Sequence, residues 1–271
     1  MAIQTDKQGK NITRALPFWL SLCGPVIAIC AAWAGGAALI LPPLLAWWMF
    51  TALDVLTGED QENLDPMTAE TDLLWYRAIT VIWFPIQAAL LIWMLAYVPQ
   101  AAHLDMAEKF AAFFGLGVFS GTIGIVYAHE LMHQKNRLER GLADLLLASV
   151  LYSHFRSEHL RVHHLYVATP MDAVSARYNE GFFRFFWRVL RQSPRSAWRA
   201  EAMMLARRGR RVWHGSNPFW RYAALQGAFL GLAYAMAGGL GVMLFIFQAL
   251  IAIWQLELTN YIEHFTSNIT G

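Results

Sequence analysis

Four stretches of this 271-residue chain contain no Asp, Glu, Lys or Arg: 15–53, 78–104, 110–129 and 222–256. A helix needs about 20 predominantly apolar residues to cross a bilayer. Inside the hydrocarbon it must satisfy every backbone N–H and C=O within itself. Uncharged runs of this length therefore leave few alternatives to spanning helices. The first run, 39 residues, is interrupted by Gly35-Gly36 and divides into spans at about 16–34 and 37–53. The second supplies a span at about 78–98 and the third one at about 111–128. The last run, 35 residues, is interrupted by Gly238-Gly239 and Gly241 and divides into spans at about 222–237 and 242–258. The expected fold is an all-α integral membrane protein, a single membrane domain over 1–271 with six transmembrane helices. Charged residues make up only 15% of the chain, against about 25% in a soluble domain. Residues 1–14 are polar, and no short apolar core with a small-residue cleavage site follows them, so no cleavable signal peptide is expected. Cys23 and Cys30 share one apolar run, which supports neither a disulfide framework nor thiolate ligation.

Basic residues set the expected orientation. Lys7, Lys10 and Arg14 precede the first span, and residues 134–215 hold 15 Lys and Arg against six Asp and Glu, a local charge of +9. By the positive-inside tendency both lie in the cytoplasm. Six crossings place 54–77, the segment after span four and the C-terminus on that same side. The region 129–221 is then a cytoplasmic helical region carrying histidine clusters and many arginines. Its apolar stretch 141–152 is twelve residues long, too short to cross and suited to a helix packed beneath a site. The arginines between 184 and 211 fit contact with anionic headgroups or with an acidic protein. No nucleic-acid partner is expected.

Histidines concentrate where these charges lie. "HELMH" (129–133) and "EHLRVHH" (158–164) each carry a His pair four residues apart, a spacing that puts both imidazoles on one helical face. "NYIEH" (260–264) adds a third cluster. His129, His133, His159, His163, His164 and His264 are the expected metal ligands; six imidazoles exceed one catalytic zinc and point to two metals. Imidazole ligation suits iron, copper, zinc or nickel. Each cluster places a Glu beside a His, and Glu130, Glu158 and Glu263 are expected to orient ligand rings from the outer shell. His154 is expected to orient rather than ligate, and His103 and His214 to be structural.

"HELMHQK", "YSHFRSEHLRVHH" with the following "VATPMDAVSARYNEG", and "NYIEHF" resemble the bacterial integral-membrane alkane 1-monooxygenases, within the His-box superfamily of membrane desaturases and hydroxylases. "LDVLTGED" and "WQLELTNYIEH" add to the resemblance, which runs from about residue 16 to the end. It implies a non-haem diiron centre at the cytoplasmic face of the inner membrane. O2 would be the co-substrate, and electrons would come from NADH through rubredoxin reductase and rubredoxin. It also implies hydroxylation at the terminal carbon of an alkane or alkyl chain, and adds Asp172 and Asn260 to the residues around the ligands. Trp47 and Trp48 on span two are candidates for the wall of an alkyl channel. The sequence departs from the family pattern at Met132, where Gly is usual, and at Phe265-Thr266, where Tyr-Gly is usual. The family has a further downstream histidine box, so the chain as given is expected to be folded but short of ligands and inactive alone. Two other readings remain: desaturation or hydroxylation of another membrane lipid, and an intramembrane HExxH zinc protease with Glu130 as general base.

Overall fold

A computed structural model describes residues 18–48, 74–167 and 169–263, with the backbone continuing helical through 267. The expected loop 54–73 and the end of span two beyond residue 48 lie outside the described residues. All regular structure among the described residues is helical. In order these are α1 (Leu20–Ala34), α2 (Gly36–Trp48), α3 (Leu74–Tyr97), α4 (Met106–His133), α5 (Arg137–Ser149), α6 (155–166), α7 (Phe182–Arg207) and α8 (Pro218–Ser267).

The glycine breaks fall where the uncharged runs are divided. Gly35 and Gly36 take φ of 68° and 55°, a left-handed backbone that glycine adopts without steric cost, and α1 ends there. Within α8, Ala237 (φ −144°) and Gly238 (φ 59°) leave the helical region, so the element has two limbs. Among the described residues three helices are long and apolar enough to cross a membrane: Leu74–Gln100, Met106–His133 and Pro218–Glu263, the last containing the break. α1 and α2 are shorter apolar helices. The protein is a membrane protein on this composition.

α4 is the central element. Asp105 caps its start, accepting from Glu108 N–H at 2.8 Å while Glu108 accepts from Asp105 N–H at 2.8 Å, a reciprocal box that satisfies two orphan donors. Its middle widens into a π turn over Ser120–Ile125. One flank is stripped to glycine. A Cβ on Gly117 would lie 2.6 Å from the Gln248 carbonyl, and one on Gly121 2.8 Å from that of Ala252, so the second limb of α8 packs backbone to backbone against α4. Close approach through small residues is how helices pack where lipid supplies no hydrophobic contrast. Two buried glutamines stitch the bundle at Ser149. Gln87 of α3 accepts from Trp83 Nε1 at 2.7 Å and donates to Ser149 Oγ at 3.2 Å; Gln248 of α8 donates to the Ser149 carbonyl at 2.8 Å.

α5 occupies the stretch expected to pack beneath the site. Asn136 caps it through Leu138 N–H, and Ala143, Leu146 and Leu147 are fully buried. Its polar edge is tied by Arg156 to Asp144, with both carboxylate oxygens at 2.7 Å from Nη1. Arg221, in the first turn of α8, reaches the same carboxylate at 2.9 Å. These pairs fix α6 and the start of α8 against α5.

Candidate metal centre

α4 ends on the first histidine pair. Four residues apart, His129 and His133 come together with ring centroids 4.9 Å apart. α6 brings the second cluster against them. His159 is the hub: its Nε2 lies 2.8 Å from that of His129 and 2.9 Å from that of His164. The His133 ring sits 5.4 Å from His159 and 5.1 Å from His164, centroid to centroid. The ligand atoms of His129, His133 and His159 all lie within 4.8 Å of one another.

Local backbone geometry explains why His164 joins them. On a regular α-helix, 100° per residue would leave a residue five positions on about 140° around from the first. Residues His159–His163 instead form a π turn, with His164 N–H bonding back to the His159 carbonyl. The wider turn brings His164 over His159, ring centroids 4.5 Å apart, while His163 stacks at 5.2 Å. Such turns recur at functional sites.

His163 is held from behind. Its Nδ1 lies 2.9 Å from Asp172 Oδ2, and that carboxylate also accepts from Ser175 Oγ at 2.7 Å, with Oδ1 taking Val174 N–H at 3.1 Å. Burial alone would raise the Asp172 carboxyl, but these hydrogen bonds outweigh it and hold the group below the usual carboxylate range. An anionic partner on Nδ1 leaves Nε2 as the outward lone pair. Arg188 of α7 supports the 172–180 loop: it pairs with Glu180 at 2.7 Å and donates to the carbonyls of Ala173 and Ser175 at 2.7 and 3.0 Å. Both partners of this ion pair are nearly buried. Arg188→Ala should therefore destabilise the fold by about 3–5 kcal/mol, the usual cost of stranding a buried charge. A denaturation midpoint unchanged in detergent would show the pair to be solvent-screened.

Beneath the histidines lies a buried polar layer. Glu158 is fully buried, and neither of its carboxyl oxygens has a hydrogen-bond partner among the described residues. Burial first, then the nearby Asp172 and Glu257, pushes its pKa up to about 9, so it is protonated at neutral pH. His154 lies against Tyr152 with its Nε2 sealed from solvent, and burial pushes its pKa down to about 4. His159 is held well below the ordinary imidazole range by burial and then by the neighbouring histidines, so its lone pair is free to ligate.

The other expected site residues fall elsewhere. Glu130 is exposed, and its Oε1 accepts from Gln134 Nε2 at 2.9 Å; one residue past His129, it has turned off the ligand face and touches none of the histidines. Glu263 is exposed near the end of α8. Asn260 donates to Glu257 Oε2 at 3.2 Å. The backbone of α8 continues through His264, whose side chain lies outside the described residues. His103 meets the Ala32 carbonyl at 3.1 Å and His214 meets Ser216 Oγ at 2.8 Å; neither is near the cluster. Trp47 packs on Phe114, donates to Gln255 Oε1 at 3.1 Å, and lines an apolar cavity of about 520 Å³. That cavity opens beside Asp105 and Glu108. The stretch from Phe114 to His129 is 15 residues, about 22 Å of helix, so the cavity and the histidines sit at opposite ends of α4. Trp48, 64% exposed, does not line it. Glu257 was not among the expected residues. Fully buried, it accepts from Tyr152 OH at 2.8 Å. It lies seven residues before His264, two helical turns along the same face, and it closes a 35-residue uncharged run.

A fatty acid desaturase family model matches residues 106–270. The chain belongs to the fatty acid desaturase family. Alkane 1-monooxygenase 1 of Pseudomonas aeruginosa is 34% identical over 217 residues, 79% of this chain and 56% of that protein. The alkane 1-monooxygenase of Pseudomonas putida is 32% identical over 252 residues, 92% of this chain and 62% of that protein. The hydroxylase component of the Pseudomonas putida xylene/toluene monooxygenase is 27% identical over 175 residues. The chain thus spans just over half the length of these curated alkane monooxygenases. Within this desaturase-family chain, the matched segment contains all three histidine clusters.

Donor chemistry gives a test of whether iron fits. With metal–nitrogen bonds of about 2.1 Å, neighbouring ligands around a six-coordinate ion stand about 3 Å apart, and about 3.4 Å apart around a tetrahedral one. The 2.8 Å separation of His129 and His159, assigned to one ion, matches the first spacing. Neutral imidazoles in an open, partly exposed arrangement suit a redox-active first-row ion. The residues present fit the group.

Proposed function

We propose that this chain is the histidine-bearing membrane region of a non-haem diiron monooxygenase that hydroxylates the terminal carbon of an alkane or alkyl chain. The observation that carries the reading is the convergence of His129, His133, His159 and His164 on one volume, with His163 braced by Asp172 beside it. In this reading His129, His133 and His159 hold one iron, and His163 and His164, with His264, contribute to a second. Bound iron would supply O2 activation, chemistry that no side chain of the cluster provides. The protein's part is to fix the imidazoles. Asp172 sets the His163 tautomer, and the π turn directs His164. Protonated Glu158, buried beside His159, can keep a proton near the ligands without adding negative charge. The uncharged runs support six crossings, and the +9 charge of residues 134–215 supports a centre on the cytoplasmic side of the inner membrane. The same charge suits an acidic carrier of the rubredoxin type, reduced by NADH through its reductase. The similarity to the alkane 1-monooxygenases of Pseudomonas supports an alkane as substrate.

The protein carrying this chain should be purified in detergent and loaded anaerobically with ferrous iron. It should retain about two irons per chain, as an imidazole-rich dinuclear site would, and form 1-octanol from octane with NADH, reductase and rubredoxin. Retention of a single zinc with peptide hydrolysis would replace this reading by the protease. Formation of an alkene from a saturated acyl chain would replace it by a desaturase. The position of Glu130, bonded to Gln134 and turned from the histidines, favours neither general-base chemistry nor the protease.

A further inference from the structure

A groove of about 690 Å³ runs between α6 with the loop after it and α7, and it passes His164 at one end. Arg177, Arg195, Arg199 and Arg207 line it, and no Asp or Glu does. Arg161 also reaches the groove but is neutralised by Glu201 at 2.6 Å. Arg195, Arg199 and Arg207 have no ion-pair or hydrogen-bond partner among the described residues. They stand four and eight residues apart along α7, so their guanidinium groups share one edge of the helix. Like charges at this spacing repel and destabilise a helix. Walls of low dielectric concentrate the resulting positive potential in the groove. The protein spends helix stability here, with no partner among the described residues to offset it.

The floor carries a second signal. Leu165, Met171 and Met203, 70%, 64% and 55% exposed, line the same groove. A small inorganic anion would answer the arginines and leave these side chains wet. An anion that carries an alkyl chain would cover both. The connection from α7 into the apolar α8 is edged with exposed aromatics: Trp213 packs on Trp198 and on Trp220, in the first turn of α8. Tryptophan side chains favour the membrane–water boundary, which puts this end of α7 within reach of lipid.

We propose that the α6–α7 groove binds an anionic amphiphile, an oxyanion head held by Arg195, Arg199 and Arg207 with an alkyl tail over the methionine floor, and that anionic phospholipid is its source. This assignment does not depend on the reaction proposed above. The site gives the membrane lipid a hold on the helix that carries three of the candidate metal ligands, with His164 at one end of the groove.

Native mass spectrometry of the detergent-purified protein tests it, with phosphatidylglycerol, phosphatidylcholine, oleate and inorganic phosphate as probes. Wild type should retain phosphatidylglycerol in preference to phosphatidylcholine. The double substitution R195Q/R199Q should lower that preference about 25-fold, at about fivefold for each guanidinium near an anionic headgroup. M203Q should weaken phosphatidylglycerol while leaving any phosphate binding unchanged. Both arginines are exposed on α7, and an unchanged melting curve for R195Q/R199Q shows that the fold is intact. Equal retention of the two lipids, or a preference untouched by R195Q/R199Q, overturns the proposal. Oleate that displaces phosphatidylglycerol at equal concentration supports the groove but moves the source to free fatty acid. Competition by inorganic phosphate without any effect of M203Q reduces it to an anion site and overturns the amphiphile. Binding of an acidic soluble protein that is lost in R195Q/R199Q, with lipid preference unchanged, assigns the groove to a protein partner instead.

Discussion

His159→Ala should abolish tight iron binding, lowering affinity by well over the 10–100-fold that loss of an outer-shell partner costs. His159 is the only one of the described histidines whose Nε2 lies within 3 Å of two others, 2.8 Å from that of His129 and 2.9 Å from that of His164. Removing it takes away one ligand and both of the close N–N approaches. The measurement is a competition titration against a chromophoric chelator, with iron counted per chain. His103→Ala and His214→Ala serve as controls, since their rings hydrogen-bond to Ala32 and Ser216 and not to the clustered histidines. If His159→Ala held iron as tightly as wild type, the centre would lie elsewhere and the N–N spacings would be hydrogen bonds only.

Gly121→Val should cost the folded protein more than any change at an exposed loop. Its first side-chain carbon would lie 2.8 Å from both the Ala252 carbonyl and the Gln255 Cβ, and 3.0 Å from the Ala252 Cα. Backbone cannot move aside as a flexible side chain can, so α8 must shift from α4. Overpacking typically costs about 1–3 kcal/mol, and a clash with backbone belongs at or above the top of that range. The expected result is a lower yield of monodisperse protein and a lower melting midpoint. Iron affinity should fall as well, because His129 and His133 lie eight and twelve residues further along α4. Gly141→Val, at an open position on α5, should change stability only by helix propensity, which favours Val slightly over Gly. Equal effects at the two positions would mean that α4 and α8 are looser than this packing.

Much of this was legible from one property of the chain, the placement of its charges. Uncharged runs marked the apolar helices, and paired glycines marked where two of those runs break, because few other residues take a positive φ without strain. His129 and His133 were readable because α-helical spacing governs them. The limits came from departures from that spacing. A helical wheel drawn at 100° per residue turns His164 away from His159, and the π turn reverses this; no residue in "HLRVH" announces it. Glu130 shows the opposite error, since adjacency to a ligand in sequence places a side chain on another face. Asp172 reaches His163 across a loop, and no periodicity encodes that contact. Glu257 had a signal in its position seven residues before His264 and at the end of a long uncharged run. The partner that explains its burial, Tyr152, is 105 residues away.

The π turn at 159–163 also changes what kind of variation this centre can tolerate. An ordinary turn fixes ligands by identity, and substitution is the way to lose them. Here the inserted residue is itself what carries His164 into the cluster, so chain length acts as a ligand-selecting variable. Loss of one residue among Leu160, Arg161 and Val162 would keep every histidine in the sequence. With α-helical winding restored, His164 would stand four residues after His159 and stay on its face, while His163 would move to three residues after it. Two relatives with identical histidine letters but different spacing in this turn would then keep the His159–His164 pair and present His163 differently. Counting motifs would not distinguish them; measuring the turn would.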